Sequence, residues 1–244
     1  MKRRTYLGLA SAGGLSATAG CLETLGLGSS ATVLDAPEKR GDPSHPIHGE
    51  EIPSFSVTDV LSGETVSNET FEGERTQLYT FVYTNCPDGT CPALLQRLYT
   101  PSQAIREAGH ESDAAFVPIT FDPRRDTPEA IADHVEAFNI DPDSEMWYFL
   151  RPSPQEAAYE LVFDDFGLPI KEQRPGEDDG HDGHQHSNET VPGSNESDVS
   201  DYTFTHFALI LLVNDRGVVE RSYPRATRFS PETIQEDMLA VIEG

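Results

Sequence analysis

The chain has 244 residues, 42 acidic against 17 basic side chains, and a formal charge of −25 at pH 7. That balance repels nucleic acid and anionic lipid surfaces, and so excludes both as electrostatic partners. The length suits one well-cored domain with appendages and is short for two.

Residues 1–21 read as an export segment. Lys2-Arg3-Arg4 opens it with a paired arginine of twin-arginine type, a weakly apolar stretch follows, and Thr18-Ala19-Gly20-Cys21 closes it as a lipoprotein processing box. Cys21 is therefore the expected lipidation site, and the mature chain is expected on the outer face of the cell membrane, held by an N-terminal lipid anchor. Residues 22–50, rich in Gly, Ser, Pro and charge without a period of 2 or 3.6, read as a flexible stalk.

A folded domain is predicted over 51–244. Phe55–Val60 and Thr65–Val66 give a short β extension around a Ser62-Gly63 turn. Gln77–Tyr83 is β-branched and aromatic, as a central strand requires, and Ala93–Ala108 has helical spacing. Ala114–Phe121 is a second buried strand. Asp126-Thr127-Pro128-Glu129 then reads as a turn and helix cap, which assigns Asp122, Arg124, Arg125 and Asp126 a structural role. A short strand at Trp147–Leu150 and a capped helix from Ser153-Pro154 come next. Residues 171–200 lose all periodicity and read as an exposed, disordered acidic insertion, with His181, His184 and His186 in a solvated loop or a metal-collecting tract. Phe207–Val213 is the most apolar strand; Asn214–Gly217 turns it into a partner strand, and Ser230 caps a final amphipathic helix. This order predicts α/β architecture, a thioredoxin-like mixed central sheet flanked by helices.

The chemistry concentrates in Thr84-Asn85-Cys86-Pro87-Asp88-Gly89-Thr90-Cys91-Pro92. Two thiols in one turn form a disulfide, exchange one, or hold a soft metal. The proline after each cysteine disfavours helical angles at the cysteine, which predicts Cys91 at the N-cap of the next helix, where the helix dipole lowers a thiol pKa. A purely structural disulfide there would close too small a loop to remove much unfolded-state entropy. His206, ahead of the last apolar strand, is either a satisfied core histidine or a third ligand. Two thiolates and an imidazole suit Cu(I) and can hold Cu(II), whereas structural zinc wants a fourth ligand.

Phe81–Asp88 with Cys91-Pro92, Val117–Pro128, and His206 followed by an apolar strand ending Asn214-Asp215-Arg216-Gly217 together resemble the SCO/SenC family, thioredoxin-like copper proteins of cytochrome c oxidase assembly. The resemblance covers roughly residues 50–244. It implies copper ligation by Cys86, Cys91 and His206, a copper-accepting subunit of a terminal oxidase as recipient, and a thiol reductant that keeps the pair reduced. The family separates its cysteines by three residues and this chain by four, Pro87 to Thr90. The alternative function is thiol-disulfide exchange, with Cys86 as nucleophile and Cys91 resolving. The spread of acidic residues and near absence of lysine also resemble haloarchaeal composition.

Overall fold

In the computed structural model, which describes residues 31–38, 41–174 and 202–244, the apolar runs of the sequence become the middle of one sheet. The β extension is a hairpin of β1 (Ser56–Thr58) and β2 (Thr65–Ser67). Its turn is held by the buried Asp59 carboxylate, which accepts from the N–H groups of Leu61, Ser62 and Phe149 and from the Ser62 hydroxyl. Strand β3 (Thr76–Val82) leads through the cysteine loop into α1 (Thr90–Ala108), and α1 returns the chain to β4 (Ala114–Thr120). Helix α2 (Pro128–Ala137) follows, then α3 (Gln155–Tyr159), which continues as π-helical turns over Glu160–Asp165. The remaining elements are β5 (Ile170–Gln173), β6 (Thr203–His206), β7 (Leu209–Val213), β8 (Val219–Pro224) and α4 (Pro231–Glu243).

The central sheet has the order β4-β3-β7-β8, with β3 and β4 parallel and the other pairs antiparallel. A parallel pair needs a crossover connection, which α1 supplies. Every residue of β3, β4 and β7 is buried, the pattern of strands covered on both faces, so these read as continuous apolar runs. Helix α1 buries Leu94, Leu95, Leu98 and Ile105, and packs against α4, which buries Ile234, Met238 and Val241. This is the mixed, helix-flanked sheet the sequence predicts. Among the described residues no helix is long and apolar enough to cross a membrane.

Four expectations need correction. Residues 31–38 and 41–50 are not a free stalk. The fully buried Glu220 carboxylate accepts from the backbone N–H groups of Val33 and Leu34, and Gly49 and Glu50 exchange backbone bonds with Val219. These contacts use side chain and backbone polar groups, so they leave no hydrophobic period to read. Trp147–Leu150 forms isolated bridges, to Phe116 and Ile119 of β4 and to Asp59, rather than a regular strand. The N-cap of α3 is Pro154 and has no side-chain cap bond. Finally, Lys171–Gln173 pair with Thr203–Thr205 in the β5–β6 hairpin, so order extends past the expected start of the insertion. The rest of that insertion, with His181, His184 and His186, lies outside the described residues, as does Cys21.

Candidate metal centre

The cysteine loop leaves the end of β3 and turns at Gly89, whose φ of 77° lies in the left-handed region that glycine adopts without steric cost. Asp88 prepares that turn by accepting from the Thr90 N–H at 2.9 Å. The helix therefore begins at Thr90, and Cys91 stands inside its first turn rather than at the N-cap, which is Gly89. The tight turn folds the four intervening residues back on themselves. The Cys91 N–H points at the Cys86 sulfur at 3.4 Å, and the Tyr83 N–H at the Cys91 sulfur at 3.4 Å. Cys91 is buried and Cys86 half-buried, and both are free thiols.

His206 comes from the last position of β6. The strand alternates, so Phe204 and His206 share a side, and that side is aromatic. The His206 ring packs on Phe121 at 5.2 Å and Tyr83 at 5.8 Å, while Phe204 stands edge-on to Tyr83 at 5.4 Å. Its Nε2 lies 3.6 Å from the Cys91 sulfur. The three donor atoms, two sulfurs and one imidazole nitrogen, all lie within 4.8 Å of one another. The structure thus joins the three residues that the sequence nominated, and the longer cysteine loop does not separate them. The donor set fits a soft, low-coordinate ion, two sulfurs and one nitrogen, with an Asp88 carboxylate oxygen 3.1 Å from the Cys86 sulfur.

The Asp122–Asp126 turn holds both halves of this site. Asp126 is buried and accepts from the Thr84 N–H at 3.0 Å, the Thr84 hydroxyl at 2.6 Å and the Thr120 hydroxyl, which fastens the cysteine loop to β4. Asp122, also buried, accepts from Arg125 Nε at 2.5 Å and the Tyr202 hydroxyl at 2.6 Å. Arg125 in turn donates to the Tyr202 carbonyl at 2.7 Å and lies over its ring at 3.8 Å. Tyr202 immediately precedes β6, so this network fixes the strand that carries His206. The structural role expected for these residues stands, but the helix cap is Thr127, whose hydroxyl accepts from the Ala130 N–H. The positioning roles of Thr84, Tyr83, Tyr202 and Phe204 escaped the sequence reading. Only the Thr84-Asn85 step beside the cysteines offered any signal for them.

The electrostatics separate the two thiols. A hydrogen bond from Cys91, opposed by partial burial and aided by His206, lowers the Cys86 pKa to about 5. Burial, with the neighbouring Cys86 charge, pushes Cys91 far above the usual thiol range. At neutral pH the pair is therefore a half-exposed thiolate beside a buried thiol that donates to it. The Asp88 carboxyl is lowered first by the Thr90 N–H, and burial raises that of Asp126 to about 6. Burial lowers the pKa of His134 on α2, against the charge of Cys86.

A sheet with this order, a cysteine loop between its first long strand and first helix, and a histidine strand facing that loop define a thioredoxin-like protein with a thiol–imidazole centre. The SCO1/SenC family model matches residues 46–243, and the chain belongs to that family. A SCO2-like protein of Rickettsia typhi is 32% identical over 88 residues, 35% of this chain and 40% of that protein. The chain spans less than half the length of the curated relatives it matches. Among solved structures, ScoI of Bradyrhizobium japonicum with copper bound superposes with a TM-score of 0.52 at 21% identity, covering 78% of this chain and 99% of that one. BsSco, described as a member of the Sco family of cytochrome c oxidase assembly proteins with a disulfide switch, gives 0.56 at 18% identity, covering 82% and 97%. At these identities the structural likeness speaks for the fold.

Proposed function

We propose that this protein is a copper metallochaperone in which Cys86, Cys91 and His206 take up one copper ion as cargo and release it to the copper-accepting subunit of a terminal oxidase. The observation that carries the reading is the convergence of the two sulfurs and the His206 nitrogen within 4.8 Å. Family membership and the copper-bound relative support the choice of metal. Soft sulfur donors suit Cu(I), and three ligands leave a coordination position through which an incoming ligand begins transfer. Binding needs both sulfurs deprotonated, so loading displaces the Cys91 proton. It also needs the pair reduced, which calls for a thiol reductant. The export-type segment ending at Cys21 supports a carrier held on the outer face of the membrane by a lipid anchor. The acidic composition suits a halophilic setting.

The test is transfer. Copper-loaded, reduced protein is mixed with the soluble copper domain of an oxidase subunit, and the appearance of the acceptor's copper absorption is followed. Transfer by the unsubstituted protein and its loss in His206→Ala and Cys86→Ser are expected; equal transfer by all three sinks the reading.

One observation favours a second activity. A low-pKa, half-exposed Cys86 beside a buried Cys91 is the asymmetry of a thiol-disulfide exchanger. In that reaction the Cys86 sulfur attacks a substrate disulfide and expels one thiolate. Cys91 then displaces the second, so that substrate gains two electrons and the pair becomes a disulfide. Turnover of a disulfide substrate without copper, with a dithiol as reductant, would support it.

A further inference from the structure

A cleft of about 1020 Å³ lies between the N-terminal segment, residues 36–38 and 41–48, and the β8–α4 connection. Its walls are mainly apolar and include Phe207, Tyr223, Pro224 and Phe229, with Arg225 and Arg228 beside them. We propose that this cleft docks an extended, acidic segment of a partner protein, which adds as a strand to the open edge of β8.

Three features carry the proposal. The first is the edge. Strand β8 is bonded to β7 along one side, whereas on the other the Gly49–Ile52 segment reaches only Gly217, Val218 and Val219. Among the described residues no segment other than β7 makes a backbone bond to Arg221–Tyr223, and this length of strand lines the cleft. An unpaired edge beside apolar side-chain pockets is what strand addition uses for affinity and specificity.

The second feature is charge. Arg221, Arg225 and Arg228 line the cleft against Glu38 and Asp237, a positive balance in a chain whose formal charge is −25. Asp237 is already committed to Arg221 at 3.5 Å and to the Tyr223 hydroxyl at 2.7 Å. Arg225 and Arg228 are exposed and have no carboxylate partner among the described residues. Two cations left available on so acidic a protein select an anionic ligand and repel basic ones.

The third is position. Phe207 follows His206 directly in the chain, and the buried His45 ring stacks on it at 6.3 Å. One wall residue of the cleft is thus the chain neighbour of a metal-site residue, although Cys86, Cys91 and His206 do not themselves line the cleft. Identifying a partner seated there as the copper recipient rests on the delivery reading above. The N-terminal wall is itself built in, through Glu220 to Val33 and Leu34, and through Arg221 Nη1 to the Asp35 carbonyl at 3.2 Å.

The experiment uses the reduced full-length chain and a fluorescein-labelled synthetic peptide of alternating aspartate with valine or tyrosine, read by fluorescence anisotropy. Binding is expected, with a loss of about tenfold or more in affinity for the Arg225→Glu, Arg228→Glu double variant, for the same peptide N-methylated at alternate residues, and for a counterpart with lysine replacing aspartate. The double variant should keep its copper affinity and circular dichroism, since neither arginine contacts the metal centre. The proposal is overturned if the acidic peptide does not bind, if the lysine peptide binds equally, or if the double variant is indistinguishable from the parent. It is also overturned if the chain dimerises through this edge, or if deleting residues 175–201 opens a cleft that the parent chain keeps closed. A parent chain that binds the peptide as expected but takes up no copper removes the delivery reading and leaves the docking site standing.

Discussion

The two cysteines are chemically unequal, although the sequence presents them as a pair. Cys86 sits on the loop, half-exposed, accepting from the Cys91 N–H, while Cys91 is buried under the Tyr83 N–H. Lowering the Cys86 pKa to about 5 makes it the reactive thiolate over the whole neutral range. Alkylation by iodoacetamide in the folded, metal-free protein should therefore follow an acid profile with its midpoint near pH 5, and Cys91 should stay unmodified. A midpoint at an ordinary thiol pKa would contradict this. Because the folded pKa is depressed, ionised Cys86 contributes stability in full above its unfolded pKa. That contribution is lost as pH falls through about 5. Little of this inequality was legible in the sequence. Pro92 pointed to a helix start, but the placement of Cys91 inside the first turn depends on Gly89 adopting a left-handed conformation and capping the helix instead.

At the scale of elements, the turn Asp122–Asp126 links the cysteine loop to the histidine strand. Spacing located it, and a helix start was the natural reading of Asp126-Thr127-Pro128. Its wider role was hidden, because Thr84 lies 42 residues from Asp126 and Tyr202 lies 80 from Asp122. Partners so distant leave no periodic trace. Replacing Asp126 by Ala strands the Thr84 N–H and the Thr120 hydroxyl, and should cost roughly 2–3 kcal/mol in urea unfolding. Copper affinity should fall as the loop loosens. An unchanged midpoint would show that Thr84 is held by other means. The pH dependence carries a definite sign. Burial raises the Asp126 carboxyl to about 6, so its protonated form favours the folded state. That contribution is complete below the unfolded carboxyl pKa and disappears as pH rises through about 6. An Asp126→Asn variant should accordingly compare better with the parent at pH 7 than at pH 4.

For the whole molecule, the strands that sequence reading located best are those buried on both faces, because β3, β4 and β7 are rich in apolar, β-branched and aromatic residues. The N-terminal segment was invisible for the opposite reason. Val33 and Leu34 attach through backbone N–H groups to a single buried carboxylate, Glu220, which also accepts from Asn214. Replacing Glu220 by Ala leaves those donors unsatisfied and should cost roughly 2 kcal/mol. Hydrogen exchange at Val33 and Leu34 should then accelerate while the three metal-site residues keep their geometry. Unaltered protection at Val33 and Leu34 would mean that the segment is held elsewhere. Across all three scales the architecture converges on one arrangement: a loop and a strand from opposite ends of the domain, each anchored by the same turn, meeting at two sulfurs and one nitrogen. X-ray absorption at the copper edge of the reduced, copper-loaded protein tests that arrangement most directly. Two sulfurs and one imidazole nitrogen per copper are expected, with the nitrogen lost in His206→Ala; an environment without both sulfurs, or one unchanged by that substitution, would contradict it.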